Sequence, residues 1–240
     1  MMAALYGTDL ARIHDEGFGD LAEHAATFVI DLLRRRGIER GRILELGCGA
    51  GQLAAALDNE GYDVWGADVS GPMLARARSR VPGATFVRGS LTHVAWPACV
   101  AVTAVGEVLN YLPRRAAVGA VLRRVHRALE PGGLFVLDAA GPGRGGPTGV
   151  RTSARVSDDW AVVATSRESS RGRLERTITA FSRDGKTWRR SEERQVQLLY
   201  EAGSFARGLR RVGFRVVVRR GYGACRFGRD TAVLIARKPT

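Results

Sequence analysis

Cysteine, lysine and long apolar stretches are all scarce in this chain of 240 residues. The few cysteines and the short apolar stretches argue against particular classes of protein. The three cysteines, Cys48, Cys99 and Cys225, are scattered and odd in number, which argues against a disulfide framework or a metal knuckle. No apolar run approaches the ~18 residues that cross a bilayer, and the first residues lack a basic-then-apolar leader pattern. We therefore expect a cytoplasmic protein that binds neither a membrane nor a metal ion.

Lysine accounts for only two of the 37 basic residues, Lys186 and Lys238, so the net charge of +13 is almost entirely arginine. The charge is unevenly placed. Residues 1–143 hold 15 basic and 15 acidic residues, whereas residues 144–240 hold 22 basic and nine acidic ones. A strongly basic chain suggests nucleic-acid binding. Because the excess lies only in the C-terminal part, it is also compatible with an anionic small substrate or with an arginine-rich surface that has no function.

The chain does contain a regular alternation of short apolar runs and helical patterns. Residues 20–36 predict an amphipathic helix capped by Asp20, and His14 precedes it. Further helices are predicted at 52–59, 72–80, 114–129 and 203–211. The predicted strands lie in the apolar run that ends in glycines, within RILELGCGAG (42–51), and at 62–67, 84–88, 100–105, 134–138, 214–219 and 231–237. Strands that alternate with helices indicate an α/β fold with a mostly parallel sheet and helices on both faces.

Residues 151–200 break this alternation. They predict strands at 161–166, 174–181 and 187–199, and Asp184-Gly185 between the last two is a hairpin signal. We expect an antiparallel β insertion there. The resulting organisation is an N-terminal helical cap (1–40), a core (41–143), the insertion (144–200) and a helix with strands that complete the core sheet (201–240).

The most informative motif is Glu45-Leu46-Gly47-Cys48-Gly49-Ala50-Gly51. Its glycines let the backbone turn sharply into a helix and approach a ligand closely. A dinucleotide fingerprint would read G-x-G-x-x-G, whereas this motif is G-x-G-x-G with an acidic residue two positions earlier. A carboxylate at that position suits the ammonium group of an amino-acid ligand. Asp68 follows the second strand, where a carboxylate can accept both hydroxyls of a ribose, although dehydrogenases use the same position for NAD.

These segments resemble the class I S-adenosylmethionine-dependent methyltransferases over nearly the whole chain. The resemblance rests on ILELGCGAG, GYDVWGADVSGPMLARAR, FVRGSL, AVTAVGEVLNYL, LEPGGLFVLDAAG and the closing GFRVVVRRGYG with TAVLIARKP. It implies a Rossmann-like, seven-stranded sheet whose last strand is antiparallel. Within the family, the chain is most similar to small-molecule methyltransferases that have an N-terminal helical cap and an antiparallel lid.

The resemblance also implies a set of residues around S-adenosylmethionine and its product S-adenosylhomocysteine. Glu45 would support the methionine end and Asp68 the ribose, while Val69 and Met73 would flank the adenine and Ser90-Leu91 would lie at its edge. Many relatives have Asp at the position of Ser90. The complete set of expected cofactor-binding residues is Glu45, Gly47, Cys48, Gly49, Gly51, Asp68, Val69, Met73, Ser90, Leu91, Gly106 and Glu107.

The acceptor side is less specified by the resemblance. The stretch 106–111 would face both ligands, and residues of the N-terminal cap would cover the acceptor. The expected substrate-binding residues are Tyr6, His14, Phe18, Asn110, Tyr111, Asp138 and Gln195. Relatives carry E-x-H where this chain has Glu193-Arg194-Gln195, and an amide cannot act as a base. The candidate bases are therefore His14, then Glu107 and Tyr111.

We interpret the chain as a methyltransferase that moves a methyl group from S-adenosylmethionine to an O or N nucleophile of a small molecule by in-line displacement. The basic excess in the predicted lid and tail is compatible with an anionic acceptor. The expected assembly is a monomer or a homodimer. A methyltransferase for tRNA or rRNA and a nicotinamide-dependent oxidoreductase remain as alternatives.

Overall fold

The computed structural model describes residues 5–146 and 148–240. Two helices open the described chain and strands alternate with helices after them. The helices are α1 (Thr8–Gly17), α2 (Asp20–Arg34), α3 (Gln52–Asn59), α4 (Gly71–Arg80), α5 (Arg115–Ala128) and α6 (Ala202–Val212), with a 3-10 turn at Val108–Tyr111. The strands are β1 (Arg42–Leu46), β2 (Asp63–Asp68), β3 (Thr85–Arg88), β4 (Cys99–Ala104), β5 (Leu129–Ala140), β6 (Val150–Val156), β7 (Trp160–Ser169), β8 (Arg173–Asp184), β9 (Thr187–Leu198), β10 (Arg215–Arg219), β11 (Gly221–Tyr222), β12 (Cys225–Arg226) and β13 (Thr231–Arg237).

Seven strands form the main sheet in the order β10-β13-β5-β4-β1-β2-β3. Strand β1 pairs in parallel with β2 and β4, and β4 pairs in parallel with β5. Only β13 runs against its neighbours, because it is antiparallel to both β5 and β10. Residues of β1, β4 and β5 are almost fully buried, as expected for a sheet that is covered on both faces. The predicted seven-stranded, mostly parallel α/β fold is therefore confirmed.

A second sheet, β6-β7-β8-β9, is antiparallel throughout. In β7 and β8 the even-numbered side chains form the covered face, where Trp160, Val162, Ile178 and Ala180 pack against α1. Strand β6 was not predicted. Its sequence VRTSARV has no apolar alternation and every one of its residues is exposed, so only its main-chain pairing to β7 makes it a strand.

Two expectations about the N-terminal region are wrong. His14 does not precede the first helix but lies within α1, a helix whose start lacks a side-chain cap signal. Asp20 is the first residue of α2 rather than its cap. The capping position is Gly19, with no side-chain hydrogen bond. No helix in the described ranges is both long and apolar enough to cross a membrane.

The topology brings several strand ends together at one edge of the main sheet. The carboxyl ends of β1, β2, β4 and β5 lie side by side because these strands are parallel. In an open α/β sheet this edge is where ligands bind. The loop after β1, Asp68, the turn after β4 and Asp138 therefore meet in one region.

Candidate active site

The loop between β1 and α3 has a backbone that only glycine tolerates. Gly47 adopts φ 71°, and a Cβ there would lie 2.6 Å from the Val108 side chain. Gly51 adopts φ 76°, and a Cβ there would lie 3.1 Å from the Ala77 Cα. The backbone N–H groups of Gly47 and Cys48 donate to the Ala67 carbonyl at 2.7 and 3.1 Å, which holds the loop against β2. The glycine spacing in the sequence thus reflects both backbone conformation and close packing.

Asp68 fixes this loop to the start of α4. Its Oδ2 accepts from the Gly49 N–H at 2.9 Å and its Oδ1 from the Ser70 N–H at 2.8 Å. Burial raises the pKa of Asp68, and these backbone donors act in the opposite direction. Each carboxylate oxygen can accept more than one hydrogen bond, so the carboxylate can still accept from a ribose.

Glu45 is a buried carboxyl group with an unsatisfied oxygen. It lies in β1, is 5% exposed, and its Oε2 has no hydrogen-bond partner among the described residues. Burial, and secondarily the charge of Asp68, raise the pKa of Glu45 from 4.5 to about 8. A buried acceptor without a partner is costly, so a bound cation or donor at this position would stabilise the charged form.

Three other expected cofactor residues have well-defined surroundings. Cys48 is buried, and burial raises the pKa of its thiol. Val69 is 41% exposed beside Asp68, as a side chain free to cover a flat ligand would be. Met73 packs with Ala11 and Ala50 between α1 and the glycine loop. Its side chain is therefore already part of the packing of the loop.

Ser90 and Leu91 follow β3 at the far side of the same edge. The Gly89 N–H donates to the Asp68 carbonyl at 2.9 Å and thereby positions this pair. The Ser90 hydroxyl is within hydrogen-bonding distance of the Thr92 hydroxyl, at 2.8 Å, and Leu91 is buried in the main core. A contact of either residue with an adenine ring stays a prediction.

The turn after β4 is held by Asp138, one of the expected substrate-binding residues. Glu107 adopts φ 61° without being glycine, a conformation that costs about 1–2 kcal/mol. Asp138 accepts from the backbone N–H groups of Gly106 and Glu107 and, at 3.1 Å, from the Tyr222 hydroxyl. It is 1% exposed, and burial raises its pKa to about 6. Asp138 therefore positions the turn, and its expected contact with a substrate stays a prediction.

Glu107 is likewise not a free base. One carboxylate oxygen pairs with Arg144 and the other accepts from Gln197 Nε2 at 3.0 Å. The Nη1 atom of Arg144 also lies 3.7 Å from the Oδ2 atom of Asp230. Both oxygens of the Glu107 carboxylate thus have internal partners, which does not favour the expected role of Glu107 as a free base.

Asn110, another expected substrate contact, has a structural role in this arrangement, and its contact with a substrate stays a prediction. It is fully buried, and its amide donates to the carbonyls of Ala140 and Leu198 at 2.9 and 2.6 Å. Its carbonyl oxygen accepts from the Ala140 N–H at 3.1 Å. The side chain therefore joins the 3-10 turn to both β5 and β9, which belong to different sheets.

The remaining acceptor-side candidates do converge. Tyr6 and His14 meet edge to face with ring centroids 5.1 Å apart, and His14 stacks on Phe18 at 5.7 Å. The Tyr111 hydroxyl donates to Gln195 Oε1 at 3.2 Å. Burial and the neighbouring Tyr111 raise the pKa of Tyr6, whereas burial lowers the pKa of His14. Tyr6, His14, Phe18 and Tyr111, together with Gln195, form a cluster between α1 and the second sheet. We call it the aromatic cluster.

Tyr6 connects this cluster with the carboxyl ends of β1, β2, β4 and β5. We call this region, which carries Glu45, Asp68 and Asp138, the carboxylate edge. Its carbonyl accepts from the Ser70 hydroxyl at 2.7 Å, and the same hydroxyl caps α4 by accepting from the Met73 N–H. Its N–H donates to Glu193 Oε2 at 2.9 Å. Tyr6 is thus bound to the loop after β2 on one side and to β9 on the other.

Sequence reasoning missed four polar residues of this region: Ser70, Arg144, Glu193 and Gln197. The alternation of side chains along β9 could have identified two of them. Glu193 and Gln197 lie on the face of β9 that carries the predicted Gln195. Gln195 and Gln197 are each 2% exposed, and each keeps one unsatisfied polar atom, Nε2 and Oε1 respectively. No comparable signal marks Arg144, which comes from a glycine-rich linker.

The carboxylate edge fits a ligand that has a cationic amino-acid end and a ribose. The unsatisfied Glu45 Oε2 offers a place for an ammonium group. A Cβ on Gly49 or Gly106 would meet no atom within 4 Å, so both loops border open space. Asp68 lies beside the Gly49 loop, at the end of the neighbouring strand β2, with spare acceptor capacity. The residues present therefore fit S-adenosylmethionine.

Comparison with known proteins agrees with this geometry. A family model described as a methyltransferase domain matches residues 43–133, the segment that supplies Glu45, the glycine loop, Asp68 and the turn at Glu107. A Geobacillus protein assigned as a methyltransferase is 30% identical over 188 residues, which is 73% of this chain and 74% of that protein.

Two further proteins are similar to the chain. The dTDP-3-amino-3,4,6-trideoxy-alpha-D-glucopyranose N,N-dimethyltransferase of Streptomyces venezuelae is 30% identical over 138 residues, 56% of this chain and 58% of that enzyme. The crystal structure of an S-adenosylmethionine-dependent methyltransferase from Clostridium acetobutylicum superposes with a TM-score of 0.84 at 16% identity, covering 96% of this chain and 98% of that one. The last comparison shows a shared fold.

Proposed function

The chain belongs to the class I S-adenosylmethionine-dependent methyltransferases, and we propose that it methylates an oxygen or nitrogen nucleophile of a small molecule. Bound S-adenosylmethionine supplies an activated methyl group on a sulfonium, so the protein has to bind, align and exclude water. Family membership favours this function over a nicotinamide-dependent oxidoreductase. The small-molecule acceptor is supported by the relative that methylates an amino sugar.

The observation that carries the proposal is the position of Tyr6 between the two halves of the site. Its carbonyl is bound to Ser70, two residues after Asp68, and its ring belongs to the cluster with His14 and Tyr111. An acceptor held in that cluster would therefore lie next to the carboxylate edge. The aromatic cover would also exclude water, which strengthens electrostatic interactions in the site.

Within this site, Glu45 and Asp68 would hold the cofactor and His14 would accept the proton of the acceptor. Burial lowers the pKa of His14 below 6.5, so its imidazole is neutral at pH 7 and able to take up a proton. Tyr111 is placed to orient the acceptor together with Gln195. Glu107 is paired with Arg144 and takes no part in proton transfer.

A labelling experiment tests the acceptor class. The protein is incubated with S-adenosylmethionine labelled at the methyl group and with a cell extract separated into small-molecule, protein and nucleic-acid fractions. We expect label in the small-molecule fraction. Label in RNA or DNA would overturn the proposed acceptor class, and the labelled compound identifies the acceptor for kinetic work.

Calorimetry tests the cofactor assignment separately. S-adenosylhomocysteine should bind and NADH should not. Binding of NADH without binding of S-adenosylhomocysteine would contradict the assignment.

The role of His14 is tested by its pH dependence. With the labelled acceptor, kcat/KM of the wild type should rise with pH through a pKa below 6.5 and then level off, because only neutral imidazole accepts a proton. His14→Gln should lower kcat by about 100-fold or more and remove this limb of the profile. His24→Gln, in α2, is the control. Unchanged kcat in His14→Gln would mean that the acceptor nitrogen arrives neutral and needs no base.

A further inference from the structure

Arg176 is an arginine on the covered face of the second sheet. The strand register places it between Ser166 of β7 and Gln195 of β9, so these three side chains share one face. That face continues through Ile178 and Ala180, which pack beneath α1. Arg176 is only partly exposed, unlike the arginines of the outer face. Arg194, for example, is 81% exposed on that opposite face.

Arg176 has no counter-ion. It makes no ion pair and no hydrogen bond with any other described residue. Three acids on neighbouring segments are already engaged. Glu193 accepts from the N–H groups of Tyr6 and Gly7, Glu107 from Arg144 and Gln197, and Glu168 from the N–H groups of Gly143 and Gly145. A half-buried cation without a partner is unfavourable, and a bound anion would compensate it.

A second donor without a partner lies beside it. Gln195 is 2% exposed, its Oε1 accepts from the Tyr111 hydroxyl, and its Nε2 has no acceptor among the described residues. Gln195 is the direct cross-strand neighbour of Arg176. The guanidinium and the amide donor therefore lie side by side on one strand face, and no carboxylate among the described residues makes an ion pair or a hydrogen bond with either.

The aromatic cluster shows where this space is. Burial raises the pKa of both Tyr6 and Tyr111, and the positive charge of Arg176 acts in the opposite direction on each phenol. Gln195, the cross-strand neighbour of Arg176, accepts from the Tyr111 hydroxyl, so Arg176 lies on the acceptor side of the site. A group bound there would belong to the acceptor and not to the cofactor.

We propose that Arg176 and the Nε2 of Gln195 form an oxyanion subsite that binds a carboxylate or phosphate group of the methyl acceptor. The inference rests on the proposed function, because it assigns one end of the acceptor. It gives a specific role to one member of the C-terminal arginine excess. Guanidinium and amide donors bind a two-oxygen anion well, and a charge-assisted hydrogen bond is about twice as strong as a neutral one.

The test uses two probe anions on the full-length protein saturated with S-adenosylhomocysteine. Inorganic pyrophosphate and citrate are titrated by calorimetry at constant ionic strength. We expect at least one to bind, and the preference between them distinguishes a phosphate from a carboxylate acceptor. Arg176→Gln should weaken that binding by about tenfold or more. Gln195→Glu should do the same, because it places a counter-ion beside Arg176.

Arg194→Gln is the matched control, since it removes the same charge from the opposite face of the same sheet. It should leave the anion Kd within about twofold of wild type. Equal weakening by Arg176→Gln and Arg194→Gln, or no binding of either anion to the wild type, would overturn the subsite. S-adenosylhomocysteine binding is measured on every variant. If the wild type does not bind S-adenosylhomocysteine, the proposed function itself is refuted. If the wild type binds S-adenosylhomocysteine but neither anion, only the subsite is refuted.

Discussion

The carboxylate edge of the main sheet and the covered face of the second sheet offer opposite chemistry to a ligand. At the carboxylate edge, acidic side chains and backbone N–H groups dominate: Asp68 and Asp138 each accept two backbone hydrogen bonds from glycine-containing turns. On the covered face, β8 and β9 offer side-chain donors and acceptors, including Arg176, Gln195 and Gln197. The first region suits a cationic ligand and the second an anionic or neutral one.

From this difference we infer that the first region determines cofactor binding and the second determines which acceptor is bound. A glycine loop and two carboxylates can be built around one cofactor, and backbone groups cannot change without changing the fold. A strand face can change its ligand preference by single substitutions, because successive side chains alternate between faces without altering the pairing. We therefore expect substitutions in the first region to affect the cofactor and those in the second to affect the acceptor.

The largest effect is expected at Asp68. Asp68→Ala removes both the acceptors that hold the glycine loop and the acceptor for the ribose. Binding of S-adenosylhomocysteine, measured by calorimetry, should weaken by about 100-fold or more, since several charge-assisted hydrogen bonds are lost. Asp58→Ala, an exposed position at the end of α3, should bind like the wild type. Normal binding by Asp68→Ala would mean that the cofactor lies elsewhere.

Asn110 tests how strongly the two regions are joined. Asn110→Ala leaves the Ala140 and Leu198 backbone groups without their buried partners, so we expect a loss of about 2–4 kcal/mol in the free energy of unfolding. Urea denaturation measures the loss. Limited proteolysis should show the second sheet to be cut first. The control is Asn59→Ala at an exposed position in α3, for which no change is expected.

Glu45 gives a smaller effect with a definite pH dependence. Its folded-state pKa of about 8 lies above the ordinary 4.5, so its contribution to apoprotein stability is present below pH 4.5 and is lost as the pH rises through 8. An ammonium ligand needs the carboxylate. The wild-type Kd for S-adenosylhomocysteine should therefore improve up to about pH 8 and then level off.

Glu45→Gln separates these two consequences. It should weaken cofactor binding at pH 8 by about tenfold and abolish the pH dependence of Kd, because no charge remains to titrate. It should also make the apoprotein more stable than the wild type at pH 9, which urea denaturation can measure. A variant that loses both stability and affinity at pH 9 would show that Glu45 is charged and satisfied in the apoprotein.

The smallest expected effect is that of the Tyr222 hydroxyl, which donates to Asp138. Tyr222→Phe should cost about 1 kcal/mol in unfolding free energy. The cost should be greater at pH 8 than at pH 5, because the pKa of Asp138 is about 6 and its charged form benefits most from the donor. Tyr62→Phe is the control. Its hydroxyl donates to the neutral Ile38 carbonyl, so its cost should not change with pH over this range.

The cofactor region was predictable from sequence because its determinants are local. The glycines, Glu45 and Asp68 each carry their signal within a few residues of a strand end, and the order of strands and helices defines which strand ends meet. The structure brings these residues together at one side of the main sheet, and their contacts with the cofactor stay a prediction. The local pattern could not show which polar side chains already have hydrogen-bond partners within the protein. Asp138 and Asn110 lie at plausible ligand positions, yet both are consumed by internal hydrogen bonds.

The acceptor region was less predictable because its contacts join distant segments. Arg144 neutralises Glu107 from a glycine-rich linker, and Glu193 binds the backbone of Tyr6 from the far end of the second sheet. Strand β6 escaped prediction because main-chain pairing alone defines it. Periodicity places side chains on a face of a strand, but it does not reveal which other segment covers that face.

The bonds of Tyr6 also have a consequence for biosynthesis. One of its partners, Ser70, is 64 residues away along the chain, and the other, Glu193, is 187 residues away. In a growing chain, the contact of Tyr6 with Ser70 can therefore form before β9 has been translated. The contact with Glu193 becomes possible only after β9 has left the ribosome, so the two attachments of Tyr6 become available in a fixed order.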